Sequence, residues 1–128
     1  MFAAGGSGRS NSINAGAQGV TYRVILTENA RAEMQEDAIW WARHRDSSQA
    51  GRWLDGFTSA LLTLTENPEK HPLAKESQRY RVELRQLLYG LGKQPTHRAV
   101  FQICDAEVVV YGIRHLARRD LTIDDLER

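Results

Sequence analysis

The sequence contains one cysteine, Cys104, and only three prolines in 128 residues. A single cysteine cannot close an intramolecular disulfide, and because Cys104 lies in an apolar alternating run we interpret it as a buried, unreactive thiol. No apolar run approaches the roughly 20 residues that a membrane-spanning helix needs. Gly, Ser and Asn interrupt residues 3–19, where a secretory signal would need an apolar core. We therefore expect a cytoplasmic protein without a metal or a cofactor.

Length and composition are those of one globular domain. The chain has 41% hydrophobic and 26% charged residues, and 128 residues are enough to bury one core. Residues 1–19 hold five glycines, a single charge at Arg9 and no hydrophobic period. Such a segment cannot bury enough apolar surface to offset its ordering entropy. We predict a disordered N-terminal extension over residues 1–19 and one domain over residues 20–128.

Charge is segregated along the chain, although the formal net charge is only +1. Residues 28–66 contain seven acids and four arginines, whereas residues 79–119 contain eight Lys or Arg and three acids. The second region predicts a basic surface for a polyanion or for an acidic partner peptide. A solvated face with chance segregation is the alternative.

Two amphipathic helices follow a short first strand. Residues 22–26 are rich in β-branched side chains and predict the strand, after which Thr27 offers an N-cap for a helix. Asp46, with Gln49 three positions on, has the spacing of a capping box and starts the second helix. The apolar stripe of that helix consists of Ala50, Trp53, Leu54, Phe57, Ala60, Leu61 and Leu64. Because the connection is short, we expect antiparallel neighbours, with Phe57 in the core.

The apolar period changes to two at Arg81. Residues 81–89, 97–104 and 108–113 predict three strands joined by turns, hence an antiparallel meander that the first strand should join. Residues 69–78 are interpreted as a polar loop, and residues 120–128 as at most a short terminal helix. The expected fold is α+β, a helical hairpin packed on an antiparallel sheet in β-α-α-β-β-β order.

Four local signatures in this order resemble the RelE/ParE toxin superfamily, the toxins of type II toxin-antitoxin and plasmid stabilisation systems. They are Y-R-V-I-L-T-E-N-A from Tyr22, the W-W-A helix end continuing to E-N-P, V-E-L-R with H-R-A-V-F-Q-I from His97, and V-V-V-Y-G-I-R-H-L-A-R-R from Val108. The resemblance spans about residues 22–120. It implies a cognate antitoxin that wraps the toxin in a hetero-oligomer, and either DNA gyrase or the ribosome with its mRNA as the target.

RelE-like members of this superfamily cleave mRNA on the ribosome with cationic, acidic and basic side chains. The resemblance carries this catalytic role to Arg81, Arg98 and Arg118, and His115 could serve as acid or base. However, Glu83 stands where the RelE pattern has a lysine, and residues 121–128 lack its tyrosine. The incomplete set favours the ParE-like branch, which binds its target and needs no chemistry of its own.

Arginines of this region also have a non-catalytic use, because planar guanidinium groups pair bidentately with carboxylates. The predicted antitoxin- or target-binding residues are Arg85, Arg98, Arg118 and Arg119. For each of them, a solvated strand arginine is the alternative. ParE-like growth inhibition through gyrase is the first hypothesis and a RelE-like endonuclease the second. A decayed toxin that only binds its antitoxin is the third.

Overall fold

This computed structural model describes residues 21–128. In them the chain forms four strands and three helices, at the positions of the hydrophobic periods. The predicted extension, residues 1–19, lies outside the described residues. Short 3-10 turns connect or follow the main elements. The strands and helices are β1 Arg23–Leu26, α1 Glu28–His44, α2 Ser47–Leu62, α3 Lys75–Tyr80, β2 Arg85–Tyr89, β3 His97–Cys104 and β4 Glu107–His115.

Side-chain caps set the start of both long helices, as predicted. The Thr27 hydroxyl accepts from the backbone N–H of Ala30 at 3.1 Å, and the Asp46 carboxylate accepts from that of Gln49 at 2.7 Å. Each bond satisfies one of the N–H groups that a helix N-terminus leaves without a partner. The two helices pack against each other as the expected hairpin.

The sheet has the order β1-β4-β3-β2. Strands β2, β3 and β4 form the predicted antiparallel meander, and the α+β class and the order of the strands and long helices are confirmed. The sheet is nevertheless mixed rather than wholly antiparallel, because β1 pairs in parallel with β4, with Val24 opposite Val108. The alternation of apolar residues is the same for either direction of a strand, so the sequence pattern could not set this direction.

The segment before β2 differs from the expected loop and long strand. Residues 75–80 form α3, which ends at Arg81 in the left-handed region with φ 57°. Strand β2 then begins at Arg85 rather than at Arg81. Leu84 is fully buried, and its carbonyl accepts from the N–H of Ala74 at 2.8 Å. The period of two over residues 81–84 therefore reflects burial of Leu84 in an apolar cluster on the sheet, not membership of a strand.

Both faces of the sheet are covered, which explains the nearly continuous burial of β3 and β4. The hairpin covers one face, where Trp53, Phe57 and Leu61 are fully buried, so the predicted core position of Phe57 is confirmed. The other face holds a second apolar cluster, formed by Ala74, Leu84, Val100, Val109, Tyr111 and Leu121. This second face is covered by α3 and by the residues that follow β4, which include two of the predicted functional arginines, Arg118 and Arg119.

Candidate functional site

Two arginines lie side by side in the middle of the sheet and are buried. Arg98 on β3 is in register with Arg114 on β4, and their side chains are only 5% and 6% exposed. Each has its own carboxylate. Arg98 Nη1 donates to Glu76 Oε1 at 2.9 Å and its Nη2 to Oε2, whereas Arg114 Nε donates to Glu33 Oε2 at 2.9 Å. The fold therefore neutralises two of the eight cations that make residues 79–119 basic in the sequence.

Glu76, on α3, is the centre of the first pair. Besides both Nη atoms of Arg98, its carboxylate accepts from the backbone N–H of Leu121 at 2.9 Å. Burial acts to raise the pKa of Glu76, but the bonds from Arg98 and from Leu121 outweigh it and lower the pKa to about 2. The carboxylate is thus charged at neutral pH and joins α3, β3 and the residues after β4.

Glu33, on α1, organises the second pair at the edge of the sheet. Strand β4 extends past the end of β1, and there Glu33 accepts from the backbone N–H of Ile113 at 2.8 Å, while Asn29 donates to the carbonyl of Tyr111 at 3.2 Å. Side chains of α1 thereby occupy backbone groups of an edge that lacks a neighbouring strand. Arg114 also donates to the Arg119 carbonyl and to Asp125, at 3.1 and 3.2 Å.

The other predicted arginines lie closer to solvent. Arg85 is half-buried, and its guanidinium donates to Glu83 at 2.8 Å and to the carbonyl of His71 at 2.7 Å. Arg81, Arg118 and Arg119 are exposed, and none of them forms an ion pair within residues 21–128. The fold therefore buries Arg98 and presents Arg81 and Arg118 on two separate segments. The roles assigned to all of these arginines stay predictions.

His115 ends β4 beside a second histidine that the sequence reasoning did not single out. His97 is buried, and the centroid of its ring lies 5.1 Å from that of His115. Its Nε2 lies 3.3 Å from an oxygen of Asp37. His97 Nδ1 is 2.8 Å from the Thr96 hydroxyl, and its ring also contacts Trp53. Within the described residues Nδ1 of His97 thus has a hydrogen-bond partner, whereas the buried Asp37 oxygen near Nε2 makes no hydrogen bond. Of these two histidines, His97 is buried and His115 is exposed.

His115 itself makes one structural hydrogen bond, since its Nδ1 accepts from the backbone N–H of Ala117 at 3.1 Å. Cys104, expected to be buried, is half-buried. Within residues 21–128 no three His, Cys, Asp or Glu side chains are grouped so that they could hold a metal ion. In the same residues no helix is both long and apolar enough to cross a membrane.

Comparison with known proteins finds a likeness to solved structures. No family model matches the sequence, and no curated protein matches it. Among the solved structures, the chain is similar to a chain of the chromosomal ParDE TA system from P. aeruginosa, with 11% sequence identity and a TM-score of 0.60. The match covers 74% of this chain and 96% of that chain. At this identity the likeness shows the fold alone: the helical hairpin and four-stranded sheet form a ParE/RelE-like α+β fold.

Proposed function

We propose that the chain is the toxin component of a type II toxin-antitoxin, or plasmid stabilisation, system. A cognate antitoxin neutralises it, and it inhibits growth in the ParE-like manner through DNA gyrase. One observation carries the proposal: the fold is shared over 96% of a chain of a ParDE TA system. The signatures over residues 22–120 support the same family of functions. The activity belongs to the predicted domain, residues 20–128, acting in the cytoplasm where its target lies.

The arrangement of the arginines supports a binding toxin over a nuclease. A nuclease of the RelE pattern needs its cations at the phosphate whose charge grows in the transition state. Arg98, which matches one of them, is 4% exposed and has both Nη atoms bonded to Glu76. Glu83, at the position of a lysine in the RelE pattern, adds a carboxylate that pairs with Arg85. Both features reduce the positive charge available to an RNA strand.

Expression without an antitoxin should arrest growth while reporter mRNAs on translating ribosomes stay intact. The purified protein should inhibit supercoiling by gyrase, because a ParE-like toxin acts by binding its target. Primer extension on mRNA from induced cells, run beside a gyrase supercoiling assay, measures both activities. Ribosomal A-site cuts with unaffected gyrase would contradict the gyrase proposal and make the protein an enzyme. If neither effect occurs, the third hypothesis, a decayed toxin that only binds its antitoxin, is supported.

A RelE-like endonuclease is the second candidate, and the exposed turn after β4 favours it. His115 and Arg118 lie on this turn, where the N–H of Arg118 donates to the His115 carbonyl at 2.9 Å. If the protein cleaves mRNA, His115→Ala should lower cleavage by on the order of 100-fold or more, because a positioned acid or base supplies that much of the rate. His44→Ala, which removes an exposed histidine on α1, should leave cleavage unchanged and is the matched control.

The antitoxin itself can be sought in the neighbouring reading frame. We expect a short adjacent gene whose product has a DNA-binding domain and an amphipathic C-terminal segment. Co-expressed with the tagged chain, this product should co-purify in a fixed ratio and relieve the growth arrest. Co-purification without relief, or relief without binding, would contradict the proposed pairing of toxin and antitoxin.

A further inference from the structure

The turn that follows β4 presents two exposed cations, Arg118 and Arg119, that form no ion pair with residues 21–128. Leu116 lies two residues before Arg118 and is 43% exposed. An apolar side chain and two guanidinium groups therefore reach solvent from the same turn, residues 115–120.

The backbone of this turn is held where it leaves the sheet. The N–H of Leu116 donates to the Thr96 carbonyl at 2.8 Å, and the N–H of Arg118 donates to the His115 carbonyl at 2.9 Å. The N–H of Ala117 is taken by the imidazole of His115 at 3.1 Å. Three consecutive backbone donors of an exposed segment, at residues 116–118, thus have partners, although a solvated loop would not need them.

The far end of the turn is held by two buried side chains, Arg114 and Glu76, and by an ion pair at the surface. Arg114 donates to the carbonyl of Arg119 at 3.1 Å, and Asp120 pairs with Lys75 at 2.9 Å. Leu121 is fully buried, its N–H donates to Glu76, and its carbonyl accepts from the Tyr80 hydroxyl at 3.1 Å. With both ends held, little backbone ordering entropy remains to be lost when Arg118 and Arg119 meet a ligand.

The charge around the turn selects the class of ligand. Residues 115–128 contain three arginines but four acids, so their formal net charge is −1. A nucleic-acid strand, which carries a phosphate at every step, would meet these carboxylates as well as the two free cations. A short polypeptide segment can place carboxylates on the two arginines alone and an apolar side chain against Leu116.

We propose that residues 115–120 form a preorganised docking turn for an acidic, apolar-containing peptide segment of a partner protein. Arg118 and Arg119 contact the carboxylates and Leu116 the apolar side chain. Glu76 and Tyr80 are positioning residues, which act by holding Leu121. The inference rests on the proposed function only in identifying that partner as the antitoxin.

Binding measurements on the full chain test the surface. The probes are a short labelled peptide rich in Glu and Leu, a single-stranded RNA of equal length, and the product of the neighbouring gene. Arg118→Ala with Arg119→Ala should weaken binding of the peptide and of the gene product by on the order of 10-fold, since each exposed ion pair contributes up to about 1 kcal/mol. The loss should shrink at high salt.

The matched control is Arg79→Ala with Lys93→Ala, which removes the same charge from two other exposed positions and should leave affinity for the peptide unchanged. Equal losses in both double variants would mean that net charge, not this turn, attracts the peptide, and the proposal fails. Tight RNA binding that depends on Arg118 and Arg119, with no peptide binding, would overturn the assigned ligand class.

The positioning role has a separate readout in the free protein. Tyr80→Phe removes only the hydroxyl that holds the Leu121 carbonyl, and Glu76→Gln removes the charge beside the Leu121 N–H. Both should speed hydrogen exchange at Leu121 and weaken peptide binding several-fold, and Tyr80→Phe should keep the melting temperature near that of the wild type. Faster exchange with unchanged affinity would show that Glu76 and Tyr80 position nothing that the peptide uses.

Failure of the antitoxin assignment and failure of the docking turn are distinguishable. If the gene product does not bind the wild type, while the peptide binds through Arg118 and Arg119, the partner is misidentified and the turn stands. If the gene product binds equally to the wild type and to the Arg118→Ala, Arg119→Ala variant, the pairing of toxin and antitoxin stands and the docking turn is wrong.

Discussion

Replacing Phe57 by alanine should lower the free energy of unfolding by about 3 to 5 kcal/mol, the usual cost of emptying a buried aromatic site. Phe57 is fully buried on α2 between the hairpin and the sheet. Its ring stacks on Tyr89 at 4.6 Å and meets Trp53 edge-on at 5.4 Å, between centroids. The backbone of a helix and a central sheet surround it, so the cavity cannot collapse cheaply. Denaturant unfolding, followed by circular dichroism, measures this change in the free energy of unfolding.

Leu54→Ala is the matched control, because Leu54 lies three residues earlier on the same helix but is 37% exposed. It should cost about 1 kcal/mol or less, since part of its surface already meets water. A cost below about 1 kcal/mol for Phe57→Ala would show that the apolar stripe of α2 faces something other than the sheet. A similar cost for both variants would show that burial against the sheet does not set the cost at Phe57.

The parts of the fold that sequence reasoning predicted are those that local chemistry determines. Thr27 and Asp46 cap the helices through bonds to residues three positions away, and the stripe of α2 recurs at the helical period. Both signals lie within a few residues of chain. The direction of β1 and the existence of α3 carry no such signal. The six residues of α3 contain no apolar stripe, and the helix is held by Glu76 through Arg98, which lies 22 positions away.

In the candidate site, too, local sequence predicts some features, while contacts between distant residues set the others. Strand alternation places Arg98 on one face of β3, but it cannot say which carboxylate covers the guanidinium. Arg114 was not singled out, and its partner Glu33 lies 81 positions away in the sequence. His97 was missed for the same reason, because its Asp37 neighbour comes from α1. Arg118 and Arg119 lie exposed just after the last strand, and their roles stay predictions.

Glu76→Gln should destabilise the protein by about 3 to 5 kcal/mol, because it leaves the buried charge of Arg98 without a counter-charge. The Glu76 residue is 1% exposed, and the Arg98 side chain is 5% exposed. Glu83→Gln is the matched control: Glu83 also pairs with an arginine, but its side chain is 68% exposed, and the change should cost about 1 kcal/mol or less. If both variants lower the free energy of unfolding equally, solvent screens the Glu76–Arg98 pair as well as the exposed Glu83–Arg85 pair.

A double variant separates the loss of charge from the loss of shape. Arg98→Met combined with Glu76→Gln removes both charges while the glutamine still accepts from the Leu121 N–H. This variant should be more stable than Glu76→Gln alone, since a buried ion pair replaced on both sides often costs little. If it is less stable than Glu76→Gln, the guanidinium contributes packing rather than charge, and the unpaired-charge explanation is wrong.

The same pair should make the stability of the protein depend on pH in a defined window. The pKa of Glu76 is about 2 in the folded state against 4.5 for the ordinary side chain, so the folded protein holds the charged form more strongly. The stabilisation is therefore complete above about pH 4.5, and it is lost as the pH falls toward about 2. Unfolding midpoints measured from pH 7 to pH 2 should show a steeper fall for the wild type than for Glu76→Gln, which has no proton to bind there. If the two curves run parallel across that window, Glu76 is not the group that binds the proton, and the fall belongs to other carboxylates such as Glu107, whose pKa its bond from Arg23 also lowers.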